Sequence, residues 1–335
     1  MKGIIVTREG AKSKLELSDV QAPRLKAGEL LIEVAAAGVN RTDIMTRERQ
    51  AGYADDRQET PEVTVELGVE VSGLVVQTAG DSAEISVGDL VMGLVDGGGY
   101  GEYAVMPANR AMQLPAGIEV VDAAAIPEVF LTAYQTLFWH GKLAAGQTVL
   151  IHAGASGVGT AAIQLAKQLV GARVIVTAGS QEKLDVCGQL GADVLINYKE
   201  TDFSEAVLQA TDGRGADVIL DFIGASYWSK NLKSIAQGGH WVLIGALGGS
   251  LVPEVQLFDL MKKYVTLTGT LLTPRSADYK AQLTHEFQDR VKPYFDSGEI
   301  RPIIDCVFDL ADAEAAQTYM LDNHNIGKIL LKSSQ

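Results

Sequence analysis

Residues 147–159, Gln-Thr-Val-Leu-Ile-His-Ala-Gly-Ala-Ser-Gly-Val-Gly, constrain this chain most, because an apolar run passes straight into a glycine-rich turn that opens an amphipathic segment. The pattern predicts a strand over 149–153 and a turn carrying Gly154, Gly157 and Gly159. A helix follows from Val158, with Ala161, Ala162, Leu165, Ala166 and Leu169 on one face. Glycines lack a β-carbon, so the backbone can turn sharply. A pyrophosphate can then approach the amides at the helix N-terminus, where the dipole favours negative charge. A second predicted strand over 173–178 supplies the context such a turn needs, and the motif points to a dinucleotide site. A tight turn without a ligand and a methyltransferase-like use of the same turn stay open at this point. Ser156 stands where the strict G-x-G-x-x-G pattern has its second glycine, and its hydroxyl suits a phosphate or ribose partner.

Which dinucleotide is implied depends on the end of the second strand, about 20 residues past the glycines, where an acid would accept from a ribose 2′-hydroxyl. Here the chain reads Thr177, Ala178, Gly179, Ser180 and then Lys183, with Tyr198 after the third strand. A hydroxyl, an ammonium and a phenol suit a 2′-phosphate, which an acid would repel. NADPH is therefore expected over NADH, with Glu182 as the local argument against it.

The 335 residues allow about two domains. A net charge of -14 argues against a nucleic-acid surface or an anionic membrane as partner. No apolar stretch reaches the ~20 residues needed to span a bilayer, and the N-terminus is interrupted by charge too soon for a signal peptide, so a cytoplasmic location is expected. Cys187 and Cys306 read as small packed residues. Short strands with glycine turns are predicted at 3–6, 30–36, 69–76, 90–94 and 101–106. From Asp122 strands at 149–153, 173–178, 193–196, 217–222 and 240–245 alternate with helices, which means a parallel doubly wound sheet. The remainder predicts a strand at 265–271, helices at 277–295 and 311–321, and a closing strand at 327–332. That closing strand has no partner nearby in sequence and is expected to return to the first domain.

Several segments together carry a resemblance that covers nearly the whole chain: Ala37-Gly38-Val39-Asn40-Arg41-Thr42-Asp43, Gly68 with Glu70, Gly88-Asp89-Leu90-Val91, Gly99-Tyr100-Gly101-Glu102-Tyr103, Pro127-Glu128-Val129-Phe130-Leu131-Thr132-Ala133 and Asn325-Ile326-Gly327-Lys328. With the glycine turn, they resemble the medium-chain dehydrogenase/reductase superfamily. The resemblance implies an α/β fold with a GroES-like β-rich catalytic domain over 1–121, completed by about 273–335. It implies a Rossmann NADP-binding domain, a doubly wound parallel sheet, over 122–272. Zinc-dependent members would carry a ligand Cys at Asn40 and a ligand His at Val69. Both are missing, and two cysteines cannot build a four-cysteine zinc lobe.

The zinc-independent branch is left, and Asn40-Arg41-Thr42-Asp43 with Ala178-Gly179-Ser180-Gln181-x-Lys183 resembles its quinone oxidoreductases, also called zeta-crystallin-like. That branch implies hydride transfer from NADPH to a quinone or similar conjugated carbonyl, with Asn40 and Tyr53 as donors to the substrate oxygen. It implies cofactor contacts from Thr132, Gly154, Ser156, Gly157, Val158, Gly159, Ser180, Lys183, Tyr198, Gly224, Gly245, Ala246 and Asn325. A homodimer through an edge strand near 265–272 is implied as well. The chain departs from the branch after Arg47, where the loop at 48–64 is longer, more charged and poorer in proline than the usual Gly-x-Tyr loop. Two alternatives stand beside the quinone: a 2-alkenal or enoyl reductase using the same hydride step, and an NADPH-binding redox sensor with little catalysis.

Overall fold

The computed structural model describes residues 1–9, 12–48, 67–80 and 85–333. The chain forms two compact units, Met1–Leu131 with Leu272–Gln335, and Thr132–Leu271.

In the first unit, β1 (Lys2–Glu9) and β2 (Lys12–Asp19) make an antiparallel pair. β3 (Glu29–Gly38) then buries Leu30, Ile32, Val34 and Ala36 on one face while Glu29, Leu31, Glu33 and Ala35 stay partly open, the period of a half-covered strand. A short helix, α1 (Arg41–Arg47), leads toward β4 (Glu70–Ala79), β5 (Leu90–Leu94), β6 (Tyr103–Pro107) and β7 (Ala111–Gln113). Next come α2 (Val120–Ala123) and α3 (Pro127–Tyr134), the latter running from the first unit into the second.

The second unit alternates β8 (Thr148–Ile151), α4 (Gly157–Val170), β9 (Arg173–Ala178), α5 (Gln181–Gln189), β10 (Val194–Asn197) and α6 (Phe203–Ala210). It continues through β11 (Ala216–Asp221), α7 (Trp228–Ser234), β12 (Ile235–Leu243), α8 (Leu257–Lys263) and β13 (Thr266–Gly269). All its strand pairs are parallel, in the order β10-β9-β8-β11-β12-β13. Counted from the first strand that is 3-2-1-4-5-6, the order of a dinucleotide-binding sheet, whose ligands lie past the carboxyl ends where the order reverses. Val149, Leu150, Ile151, Val174, Ile175 and Val176 are sealed from solvent, as strands covered on both faces must be. β8 ends two residues earlier than its apolar pattern predicts, because the chain already turns at His152 and Ala153 takes a left-handed φ of 50°.

The chain then returns to the first unit through α9 (Ala277–Asp296), β14 (Ile304–Asp309), α10 (Ala313–Leu321) and β15 (Lys328–Lys332). β15 pairs antiparallel with β3, Leu330 opposite Gly38, and parallel with β14, so the closing strand does rejoin the first sheet. The sheet order is β14-β15-β3-β4-β5-β7, with β6 also on β3. β14 escaped the sequence pattern because it is an edge strand with no fully buried residue and with Asp305 and Asp309 in it.

Candidate functional site

Three structural features meet at the carboxyl ends of the second unit's strands. The first is the turn between β8 and α4. Ser156 is the N-cap of α4, its Oγ accepting from Gly159 N at 3.1 Å, which leaves its own O–H to donate outward. The amides of Gly157 and Val158 meet no acceptor among the described residues, so they stand open at the N-terminus of a 14-residue helix. A β-carbon at Gly154 would lie 2.8 Å from Val176 Cβ, and one at Gly159 would lie 2.5 Å from the carbonyl oxygens of both Ala153 and Gly154. Glycine at these two places is thus a packing requirement of the turn.

The second feature surrounds the end of β9. Ser180 caps α5 by accepting from Lys183 N at 3.4 Å, which starts the helix directly after Gly179 and sets Lys183 in its first turn. A β-carbon on Gly179 would fall 2.8 Å from the Tyr198 hydroxyl oxygen and 3.2 Å from Lys199 Cε. The missing side chain therefore opens a cradle walled by a phenol and a lysine stem. Its chemistry is hydroxyl and ammonium, and the nearby acid Glu182 is exposed. Lys199 is a member that sequence reasoning passed over; its adjacency to Tyr198 was the available signal.

The third feature is a buried network that fixes the β11 turn. Asp221 Oδ1 accepts from the amides of Ile223 at 2.7 Å and Gly224 at 3.0 Å. Its Oδ2 accepts from Asn231 Nδ2 at 2.9 Å and Trp241 Nε1 at 3.0 Å. Asn231 Oδ1 must then accept from His152 Nε2, 2.7 Å away, which leaves His152 Nδ1 to accept from the Thr177 hydroxyl at 3.0 Å. Burial lowers the His152 pKa, against the opposing pull of Asp221 and Asn231, in keeping with a neutral ring. Gly224 takes a φ of 79°, and a β-carbon there would meet Gly249 O at 2.8 Å. Gly245 packs on Phe222 O and Ala246 on Gly224, so these predicted residues form one loop cluster. Local sequence signals did not reveal Asp221, Asn231, Trp241 or His152 as partners, because the network joins residues 10 to 79 positions apart.

Of the predicted cofactor residues, Asn325 alone belongs to the first unit, where its Nδ2 donates to Gly327 O at 2.8 Å and shapes the turn into β15. Thr132 is buried in α3, its carbonyl accepting from the Thr136 hydroxyl at 2.7 Å.

The first unit contains its own buried polar cluster. Glu70 Oε1 accepts from Lys328 Nζ at 2.7 Å and Asn40 Nδ2 at 2.8 Å, while Oε2 accepts from Glu128 N at 2.7 Å and so caps the start of α3. Lys328 Nζ donates further to Asn40 Oδ1 at 2.8 Å and Val39 O at 2.9 Å. Asp43 accepts from Asn40 N and Gly68 N, each at 2.9 Å, and from the Tyr100 hydroxyl at 3.0 Å. Burial nevertheless pushes the Asp43 carboxyl up to about 6.

Asn40 also donates to Gly38 O at 3.3 Å, so both of its amide hydrogens are engaged. These contacts hold the segment before α1 in place. Tyr53, the other predicted donor, lies outside the described residues. Among the described residues no group of three His, Cys, Asp or Glu side chains could hold a metal ion, and no helix is long and apolar enough to cross a membrane.

Two family profiles match the chain: "Zinc-binding dehydrogenase" over residues 157–289 and "Alcohol dehydrogenase GroES-like domain" over residues 26–116. The quinone oxidoreductase-like protein 2 homolog of Nematostella vectensis is 31% identical over 313 residues, 93% of this chain and 83% of the relative. A phenolphthiocerol synthesis polyketide synthase type I of Mycobacterium bovis is 33% identical over 318 residues, 93% of this chain but only 14% of the synthase. Among solved structures, Escherichia coli quinone oxidoreductase complexed with NADPH aligns with a TM-score of 0.86 at 26% identity, covering 99% of this chain and all (100%) of that one. CurK enoyl reductase aligns with a TM-score of 0.87 at 25% identity, covering 99% of each chain.

Proposed function

The chain belongs to the medium-chain dehydrogenase/reductase superfamily of oxidoreductases, and on that premise we propose that it is an NADPH-dependent reductase of quinones or similar conjugated carbonyls, working without a metal. The observation that carries the proposal is the cradle at Gly179, where Ser180, Lys183 and Tyr198 offer hydroxyls and an ammonium to a 2′-phosphate. The open amides of Gly157 and Val158, with the Ser156 hydroxyl, suit the pyrophosphate. Loops at Gly224, Gly245 and Ala246 would flank the rest of the dinucleotide, with Thr132 and Asn325 assigned by the family resemblance. Bound NADPH supplies the hydride. Everything else falls to the chain's own groups: orientation, exclusion of water, and hydrogen bonds to the oxygen that gains charge. Tyr53 is the proposed donor there.

The metal-free part of the proposal is supported by Lys328. Its ammonium is bound by Asn40, Val39 and Glu70, and so provides the fixed positive charge beside the positions where zinc-dependent relatives keep their ligands. The likeness to CurK enoyl reductase favours a second reading, the same hydride step on an alkenal or enoyl thioester. The net charge of -14 weighs against it, since an acidic carrier would want a basic patch.

Oxidation of NADPH and of NADH, each followed against an ortho-quinone and a 2-alkenal with and without chelator, tests these readings together. The expected result is NADPH-selective quinone turnover that chelation leaves intact. Preference for the alkenal would support the second reading, and inhibition reversed by zinc would remove the metal-free one. Silence toward both substrates with tight NADPH binding would favour a redox sensor.

We also propose a homodimer formed through the second unit. β13 is the outer strand of its sheet, with Leu267 exposed, and Leu257, Phe258, Met261 and Tyr264 on or just after α8 are exposed as well. An unpaired apolar edge of this kind is suited to pairing with a twofold mate. Leu267→Lys combined with Met261→Lys should halve the sedimenting mass while NADPH binding persists. A wild-type protein that sediments as a monomer would defeat this assignment.

A further inference from the structure

The strand order of the second unit reverses between β8 and β11, so the crevice that such sheets use for a dinucleotide opens between the turn after β8 and the turn after β11. One chain of side chains joins the two walls. It runs from Thr177 near the end of β9 through His152, just past β8, to Asn231 on α7 and Asp221 at the end of β11. All four residues are closed to solvent. Their hydrogen bonds have a single sense, because the Asn231 amide must give its N–H to the Asp221 carboxylate and so accept from the His152 ring. The Thr177 carbonyl takes the Gly154 amide at 2.9 Å, which anchors the far end in the glycine turn.

On the β11 side the chain holds two linked loops. The Asp221 carboxylate takes the Ile223 and Gly224 amides, so these two are not left for a ligand. The turn they form carries the next loop: Leu247 N donates to Phe222 O at 3.1 Å, Gly248 N to Ile223 O at 2.7 Å, and Ala225 N to Gly249 O at 2.8 Å. In that next loop the Ala246 amide meets no acceptor, and the Gly245 and Leu247 carbonyls meet no donor, among the described residues.

We propose that Asp221, Asn231 and His152 are positioning residues that preset the 223–224 turn and the 245–249 loop for the nicotinamide half of the cofactor, at a fixed spacing from the sites of its pyrophosphate and 2′-phosphate. The inference rests on the NADPH reading above. That reading assigns the pyrophosphate to the glycine turn and the 2′-phosphate to the Gly179 cradle, two residues past Thr177, so the rest of the molecule falls on the β11 side. The three side chains are closed to solvent and act through the backbone they hold. A buried network with every member satisfied admits one arrangement. Cutting it lets the loops populate others, and apparent affinity falls with the fraction of molecules whose loops stay in place.

Asn231→Leu removes the bridge between His152 and Asp221 with little change of volume. Titrations with NADPH and with adenosine 2′,5′-bisphosphate, which lacks the nicotinamide half, read its effect without turnover. The variant should lose about 10-fold in affinity for NADPH and less than about 2-fold for the bisphosphate. Its kcat for an ortho-quinone at saturating NADPH should fall by about 10-fold or more, since a misplaced nicotinamide is not recovered by raising its concentration. His152→Leu should lose NADPH affinity to a similar degree. His152→Gln can still donate to Asn231 and accept from Thr177, and should recover most of that affinity. Should Asn231→Leu fail to fold, Thr177→Val removes the hydroxyl at the far end at nearly constant volume, and the same selective loss is expected at about 3-fold. Equal losses for NADPH and the bisphosphate, or wild-type NADPH affinity and kcat in a folded variant, would overturn the positioning role while leaving the reductase reading in place. A wild-type protein that binds neither ligand would remove the cofactor reading and the positioning role with it.

Discussion

Lys328→Met should destabilise the protein by about 3–5 kcal/mol, the usual cost of leaving one member of a buried ion pair alone. Glu70 is fully buried, and among the described residues Lys328 is its only counter-charge at hydrogen-bond distance. The substitution also strips Asn40 Oδ1 and Val39 O of their shared donor. Adding Glu70→Gln should return much of the loss, because removing both charges avoids the stranded carboxylate. Urea midpoints for the two single variants and the double variant measure the coupling. Simple additivity of the two losses would show that the pair does not act as a unit.

The same cluster sets a pH dependence. Glu128 titrates near 8 in the folded chain against an ordinary 4.5, and Asp43 near 6 against 3.8. For an acid whose folded pKa is raised, the folded state binds more protons than the unfolded one, so stability falls as pH rises between the two values. Unfolding free energy should therefore decline from about pH 4 through pH 8, with Asp43 and Glu128 both contributing up to about pH 6 and Glu128 alone above it. Glu128→Gln should flatten the curve between about 6 and 8. A wild-type curve that climbs through that window would contradict the burial assigned to these groups.

The contrast between the two polar networks explains how much could be seen in the sequence. The turn at 154–159 was legible because its requirements are local: a buried strand, three glycines and an amphipathic helix in consecutive positions. The Ser180 cap and Lys183 follow from neighbours in the same way. Glu128 and Glu70 could not be joined from their spacing, since only the pairing of β15 with β3 carries Lys328 to residues 40 and 70. His152 likewise reads as one more residue of an apolar strand, although it forms a relay from Thr177 to Asp221 by way of Asn231. Long-range polar contacts leave no period in the sequence, whereas hydrophobic burial does.

Lys183→Ala should weaken NADPH by about 10- to 100-fold and change NADH by less than about 2-fold, a loss of roughly 1.5–3 kcal/mol for one charge-assisted contact. The asymmetry follows from where the ammonium stands. Ser180 fixes the first turn of α5, so Lys183 leaves the helix beside Gly179, whose missing β-carbon keeps the cradle open against Tyr198 and Lys199. A 2′-hydroxyl gives that ammonium little to bind, whereas a phosphate gives it two negative charges and several acceptor oxygens. Lys183→Glu should go further and invert the preference, because an acid at this place repels the phosphate and accepts from the ribose hydroxyl. Dissociation constants for both cofactors, measured by titration without substrate, separate this effect from any on turnover. Equal losses for NADPH and NADH would mean that Lys183 holds the helix rather than the phosphate, and the cradle at Gly179 would need another occupant.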